Sequence, residues 1–406
     1  MFFLIVWKIS GKKSVLQKLL LKLSYLLGRH LSIQNSQNRV GFLSMSFHLL
    51  NFYLKTGRFL AITPPSTEIR EHSKCRQIYQ VLMIVGLVMG TLGSTYYYKE
   101  AFSDFNFVKI AALILAEWML CAFSCRIIVE ASRMRGWRRL IKDLKETSCL
   151  VQDEEVHTRK VLFKFLGPQI IFWVCCICNV WFAVSVVGVI FIKFSSVEIF
   201  EIYFFYTLYI CTLLEMIRKR YEGLRRRYEH RFLRNRRHLV QMSGLACSLN
   251  KIVDTFNDNF GYSLVLLICY VTLESLNYLD FNLEEYSNEY LIELFVSQVL
   301  SVLLLFVPTL MMILTCDNIV EESQKIIFLV SHSTLGIVDC EMRQDLDRLL
   351  TILTTSVPHF TAARFFSINK STIFSIFGTV TSFLIIMLTL DPTQPNCIVK
   401  TNLTET

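Results

Sequence analysis

Long apolar runs alternate with basic stretches of mixed polarity along this chain. Seven runs approach or exceed the length of a membrane helix: about residues 77–98, 107–129, 162–192, 199–217, 261–280, 290–316 and 370–390. A helix needs about 20 apolar residues to cross the hydrocarbon core of a bilayer. The pattern therefore predicts an all-α membrane protein with seven transmembrane helices. Pro168 and Pro308 fall inside the third and sixth runs and predict bends, because proline removes a helix hydrogen bond.

The stretches between the runs carry their own pattern. Residues 1–76 are basic and patchily apolar, and residues 15–27 read as an amphipathic helix on the membrane or against the bundle. Pro64 and Pro65 break the chain before the first span. Residues 216–239 alternate apolar and basic positions at helical spacing, so the fourth, fifth and sixth spans are expected to continue beyond the bilayer as helices. The competing reading is an unstructured basic loop. The expected organisation is a cytoplasmic N-terminal region (1–76), spans one to four (77–217), a basic helical loop (218–260), spans five and six (261–316), a helical segment (317–369), span seven (370–390) and an extracellular tail (391–406). Packed together, the helical extensions would form an anchor domain. No internal repeat is visible, which argues against a transporter built from inverted repeats.

Composition agrees with a membrane class. The chain is 53% hydrophobic, with 32 Phe and 16 Tyr, and its mean hydropathy is +0.44. The formal charge of +9 matters through its distribution. Arg133, Arg135, Arg138, Arg139, Lys142 and Lys145 crowd one loop, and ten Lys or Arg from Arg218 to Arg237 crowd another. The opposite loop at 281–289 has Glu284, Glu285 and Glu289 and no Lys or Arg. Basic loops stay cytoplasmic. The N-terminus is then inside and the C-terminus outside. The sequon at Asn402 lies in the tail expected outside and is a tentative glycosylation site; a second, at Asn369, falls at a cytoplasmic boundary. The 13 Cys sit mostly in apolar runs or beside basic loops and read as reduced. The short apolar start is followed rather than preceded by lysines, so no signal peptide is expected.

No enzyme constellation appears. There is no HExxH, no paired CxxC, no phosphate-binding loop and no nucleophile elbow. The three cysteines Cys175, Cys176 and Cys178 read as packing. No catalytic residue, metal, cofactor or nucleic-acid partner is implied. The last run carries the most information. On a helical wheel Ser371, Ser375, Gly378, Ser382, Ile386 and Thr389 fall within about 80°. The stripe is small and mostly hydroxylated on an otherwise apolar helix. Two readings fit it, close helix packing and the lining of a water-filled path; the wheel alone favours packing. Polar residues in or near other spans, Glu117, Glu274, Asn277, Glu293 and Gln298, should face the bundle or a cavity. With Trp181, Phe182, Phe200, Tyr203, Phe204 and Tyr206 they outline a tentative small-molecule pocket in the outer half, against the plain alternative of an interfacial aromatic belt.

Two segments then resemble a known family. The stretch Ala362, Ala363, Arg364, Phe365, Phe366, Ser367, Ile368, Asn369, Lys370 and the stretch 254–262 look like insect gustatory receptors. The family signature in the last span is Thr-Tyr, five apolar residues, then Gln-Phe. Here these positions read Ser382, Phe383, residues 384–388, Thr389, Leu390. Spacing and filler are intact, while each signature residue is replaced. The resemblance implies a tetrameric, ligand-gated cation channel of the plasma membrane, related to insect odorant receptors. Each subunit, homomeric or mixed with other gustatory subunits, would contribute its seventh helix to a pore lined by Ser375, Ser382, Ile386 and Thr389. A small tastant would bind near Trp181, Tyr203, Phe204, Tyr206, Glu274 and Gln298, and lipid would surround the bundle. Many aromatics and few carboxylates lean towards an apolar or bitter compound. An odorant receptor subunit is the nearest competitor. A G-protein-coupled receptor would need the opposite orientation and lacks DRY-like and NPxxY motifs here. A membrane enzyme or transporter would need an ionisable cluster.

Overall fold

The computed structural model describes residues 50, 53–54, 56–57, 61–63, 74–101, 107–132, 134–147, 167, 170, 174, 190–231, 236–284, 291–334 and 340–390. The chain divides into units 1–48 and 49–406, and the described residues belong to the second. Eight helices and one two-stranded hairpin are described: α1 (Lys74–Ala101), α2 (Phe107–Ser132), α3 (Met134–Glu146), α4 (Ile190–Arg231), α5 (Arg236–Glu284), α6 (Leu291–Thr334), α7 (Cys340–Thr355), β1 (Thr361–Ala362), β2 (Phe366–Ser367) and α8 (Lys370–Leu390).

Among the described residues, four segments are long and apolar enough to cross a membrane: Gln77–Tyr96, Ile110–Ser132, Leu239–Asn277 and Val302–Thr334. The expected fourth and seventh spans lie in α4 and α8. The expected third span falls largely outside the described residues, and the amphipathic stretch 15–27 and the 391–406 tail fall wholly outside them.

Length shows what the middle helices do. α4, α5 and α6 have 42, 49 and 44 residues. At 1.5 Å per residue they run to about 60–75 Å, twice the roughly 30 Å of a hydrocarbon core. Each is therefore one helix far longer than a bilayer core needs. The expected basic loop at 218–260 is largely the end of α4 and the start of α5. Several of its described arginines are paired. Arg218 pairs with Glu215, Arg226 with Glu222, and Arg225 with both Glu229 and Glu322, all at 2.8–2.9 Å. The Arg225–Glu322 pair ties α4 to α6.

α5 is the hub, packing against α2, α3, α4, α6, α7, α8 and β1. The largest fully buried side chains, including Phe123, Tyr203, Tyr206, Tyr209, Phe256 and Phe260, gather on α2, α4 and α5. Tilted and edge-on ring pairs link them, such as Phe123 with Tyr206 at 5.5 Å and Trp137 with Phe260 at 5.2 Å. Lipid is as apolar as these rings, so inside a bilayer close packing rather than water exclusion holds them. Hydroxyls follow the same logic: Thr91, Thr207, Thr212 and Thr272 each donate to the carbonyl four residues earlier and expose no unmet donor.

Two polar devices complete the frame. Arg220, 3% exposed, donates to Leu144 O, Thr147 Oγ1 and Met216 O. It caps the C-terminal end of α3, where carbonyls lack helical partners and a cation is favoured. Pro308 removes one bond inside α6. Beside it, the Tyr203 hydroxyl donates to Leu305 O at 2.7 Å and shares a 2.7 Å bond with Thr309 Oγ1.

Candidate functional site

The candidate pore helix α8 begins on a built foundation. Asn369 is its N-cap: the Oδ1 accepts from Thr372 N at 3.3 Å, and Thr372 Oγ1 donates to Ser367 O at 2.9 Å. Before it, β1 and β2 pair antiparallel, Thr361 opposite Ser367 and Ala362 opposite Phe366. The connecting loop places Ala363 and Arg364 at φ 49° and 64°. Left-handed backbone costs an L-residue about 1–2 kcal/mol, so contacts around the hairpin must hold it. They come from α5: Asn257 bonds the hairpin backbone, Arg364 pairs with Asp258 at 3.3 Å, and Phe360 meets Phe256 edge-on at 5.7 Å. The two family-like stretches of the sequence are therefore one structure.

Against the described residues, α8 covers only one face. Thr372, Ile376 and Val380 are buried, and Phe377 stacks on Phe306 of α6 at 5.7 Å. The small stripe points elsewhere. Ser371, Ser375, Gly378, Ser382 and Ile386 are all exposed. On the wheel the buried face and the stripe are centred about 120° apart. A Cβ built on Gly378 meets nothing within 4 Å. Ser375 and Thr379 hydroxyls bond back to their own helix. Close packing of the stripe against the chain's own described helices is thus ruled out. The exposed arc is wider than the stripe and includes Phe374, Phe377 and Ile385. Phe383 is half-buried, and Thr389 and Leu390 belong to the last turn of α8.

The aromatics expected to line a pocket have a different setting. Tyr203, Phe204 and Tyr206 are 0–1% exposed. Tyr203 contacts Phe123 and Tyr270, and Tyr206 contacts Phe123 and Phe260. Phe123 lies about 24 Å along α2 from Phe107. The cluster therefore lies past the midpoint of α2, towards α3. α4 starts at Ile190, before the apolar run expected at 199, which puts Tyr203 about 20 Å into the helix. Glu274 is half-buried on α5 and accepts from Asn277 at 3.4 Å. Gln298 belongs to α6. Trp181 and Asn402 lie outside the described residues.

Sequence reasoning missed a part-buried ion pair beside these rings. Glu130, 7% exposed, accepts from Arg126 at 2.8 Å and from Ser263 Oγ at 2.7 Å, and Arg126 sits 5.0 Å over the Tyr262 ring. Glu130 closes the apolar run of the second span, and its spacing of four from Arg126 was the available signal. The hairpin was also missed, since no Asn-Gly or Asp-Gly marks it. Among the described residues no cluster of three His, Cys, Asp or Glu side chains suits a metal ion.

This architecture defines a multi-pass helical membrane protein. The sequence profile described as "7tm Chemosensory receptor" matches residues 50–394, and the chain belongs to that family. It is a family of receptors, not enzymes. Among solved structures, the insect olfactory receptor OR5 from Machilis hrabei is similar in fold: TM-score 0.65, 15% identity, covering 84% of this chain and 99% of that one. The same receptor in complex with eugenol gives 0.64 and 14%, covering 85% and 100%. A search of curated protein sequences finds no match.

Proposed function

We propose that this chain is a gustatory-type receptor subunit: one part of a tetrameric, ligand-gated cation channel of the plasma membrane, with α8 beside the pore. The observation that carries the reading is the outward stripe of α8. Lipid gives no reason for a stripe of hydroxyls and a glycine on a face turned away from the bundle. Water and neighbouring copies of α8 around an axis supply one, and hydroxyls then replace part of an ion's hydration. Ser375, Ser382 and Thr389 take that role, with Ile386 as the apolar constriction that hydrates on opening. The orientation has the N-terminus inside, and the ends of α4, α5 and α6 with α7 form a cytoplasmic anchor.

The ligand is a small tastant. The closed aromatic core at Tyr203, Phe204 and Tyr206 serves as the floor of its pocket, with Glu274, Gln298 and Trp181 further out. Binding shifts a closed–open equilibrium by its differential affinity for the two states. An odorant-type subunit is the second reading. The fold likeness to an olfactory receptor favours it, and that receptor's complex with eugenol supports a small ligand for this chain too.

The test places single cysteines along α8 and applies a small charged methanethiosulfonate during whole-cell recording. Ser382→Cys and Thr389→Cys are expected to react and block cation current, while Ile376→Cys and Val380→Cys, on the buried face, stay inert. Equal reaction on both faces would remove α8 from the pore. Quinine, sucrose and eugenol applied to the same cells separate the two readings: activation by eugenol alone favours the odorant type.

A further inference from the structure

Asn257 and the hairpin are 102 residues apart in sequence, yet the Asn257 amide donates to His359 O at 2.6 Å and accepts from Thr361 N at 3.2 Å. Both bonds reach main chain, so they hold the hairpin's path regardless of its side chains. One turn along α5, Gly261 is buried where a Cβ would stand 2.7 Å from the Ala363 nitrogen. Backbone is thus pressed on backbone, which only glycine permits. The hairpin itself is closed by Phe365 N to Ala362 O at 2.9 Å and Ile368 N to Phe360 O at 2.8 Å. From Ser367 to Lys370 there is no slack, because Asn369 and Thr372 tie the last strand to the first turn of α8. On the other side, Lys370 Nζ meets Asp317 of α6 at 2.7 Å.

We infer that Asn257 and Gly261 are positioning residues for gating: they bind the base of α8 to α5 so that the two move as one body. This rests on the reading of α8 as the pore helix. α5 touches α2, α3, α4 and α6, so any rearrangement of the bundle around a ligand displaces it. A hairpin gripped through its main chain passes that displacement to the start of α8. Left-handed residues at the turn give the joint little freedom to absorb motion. The Arg364–Asp258 pair, with side chains 85% and 65% exposed, adds little to the grip.

The experiment uses the full chain carrying Ser382→Cys in permeabilised cell membranes. Two rates are read by mass spectrometry: modification at position 382 by a small charged methanethiosulfonate, and trypsin cleavage after Arg364. In the resting state the clamp keeps α8 against its own bundle. Asn257→Ala is expected to raise both rates, the first about fivefold, the low end of typical coupling between sites. Asn257→Asp keeps the acceptor for Thr361 and is expected to lie between. Gly261→Ala, which pushes the hairpin away, is expected to follow Asn257→Ala. Asp258→Ala, which breaks only the exposed pair, should change either rate less than about twofold. Faster cleavage with an unchanged rate at position 382 would make the clamp purely structural and overturn the inference. No change in either rate would overturn it as well. A parent Ser382→Cys that never reacts in any background would mean that the pore reading itself fails, and this inference with it. Should Asn257→Ala not reach the surface, Asn257→Asp carries the same comparison.

Discussion

α4 and α8 are both apolar helices of the same bundle, and they end in opposite conditions. Every residue of α4 from 202 to 214 is buried. Rings, hydroxyls and backbone of α1, α2, α3, α5 and α6 surround α4. α8 buries Thr372, Ile376 and Val380 and leaves Phe374 and Phe377 in the open at 76% and 48%. A helix covered on all faces is finished within its chain. A helix covered on one narrow face by the described residues leaves its other faces for further contacts. Mean apolarity does not separate the two; the arrangement of small and polar positions does.

That contrast sets a scale of effects. Phe260→Ala removes a fully buried ring between Trp137, Tyr206 and Phe256, and is expected to cost about 3–5 kcal/mol, read as a drop in melting temperature of the detergent-solubilised protein. A loss under 1 kcal/mol would mean that the core around α4 is loosely packed. Arg220→Met strips three acceptors of their donor and should cost about 2–3 kcal/mol in the same measurement, with α3 becoming the first segment to exchange amide hydrogens. Unchanged exchange there would leave the cap without a role. Arg225→Met breaks the part-buried interhelical pair with Glu322 and the pair with Glu229 on its own helix. The expected cost is about 0.5–1 kcal/mol, and a double-mutant cycle with Glu322→Gln checks whether the interhelical pair itself carries it. Phe374→Ala should be smallest for the isolated subunit, within about 0.5 kcal/mol. It is expected to lower the oligomeric fraction instead, measured by single-molecule bleaching in membranes. A large melting shift with intact oligomers would reverse the comparison and make α8 part of the subunit's own core.

The local signals were read with uneven success. Apolar run length located α1, α2 and the membrane parts of α5 and α6, because bilayer thickness is an external ruler. The helical continuation of the fourth to sixth spans was legible from residues 216–239, where apolar positions keep helical spacing among the arginines. Which glutamates those arginines meet was not, since Arg225 reaches Glu322 across 97 residues of sequence. The start of α4 at Ile190 was not legible, because residues 190–198 carry polar groups ahead of the apolar run expected at 199. The hairpin left no trace, as alanine and arginine occupy its left-handed positions and only α5 holds them there.

The sequence by itself determined the class of this protein. Long apolar helices, the sign of each loop and the small stripe at Ser375, Gly378 and Ser382 are properties of local order, and local order is enough to set periodicity and length. Only the tertiary structure decided which face of α8 is left open, that residues 254–262 and 359–370 form one clamp, and that Glu130 is held between α2 and α5. These depend on side chains separated by about a hundred residues, and the geometry of such meetings is set by packing of the whole bundle rather than by any stretch of the chain.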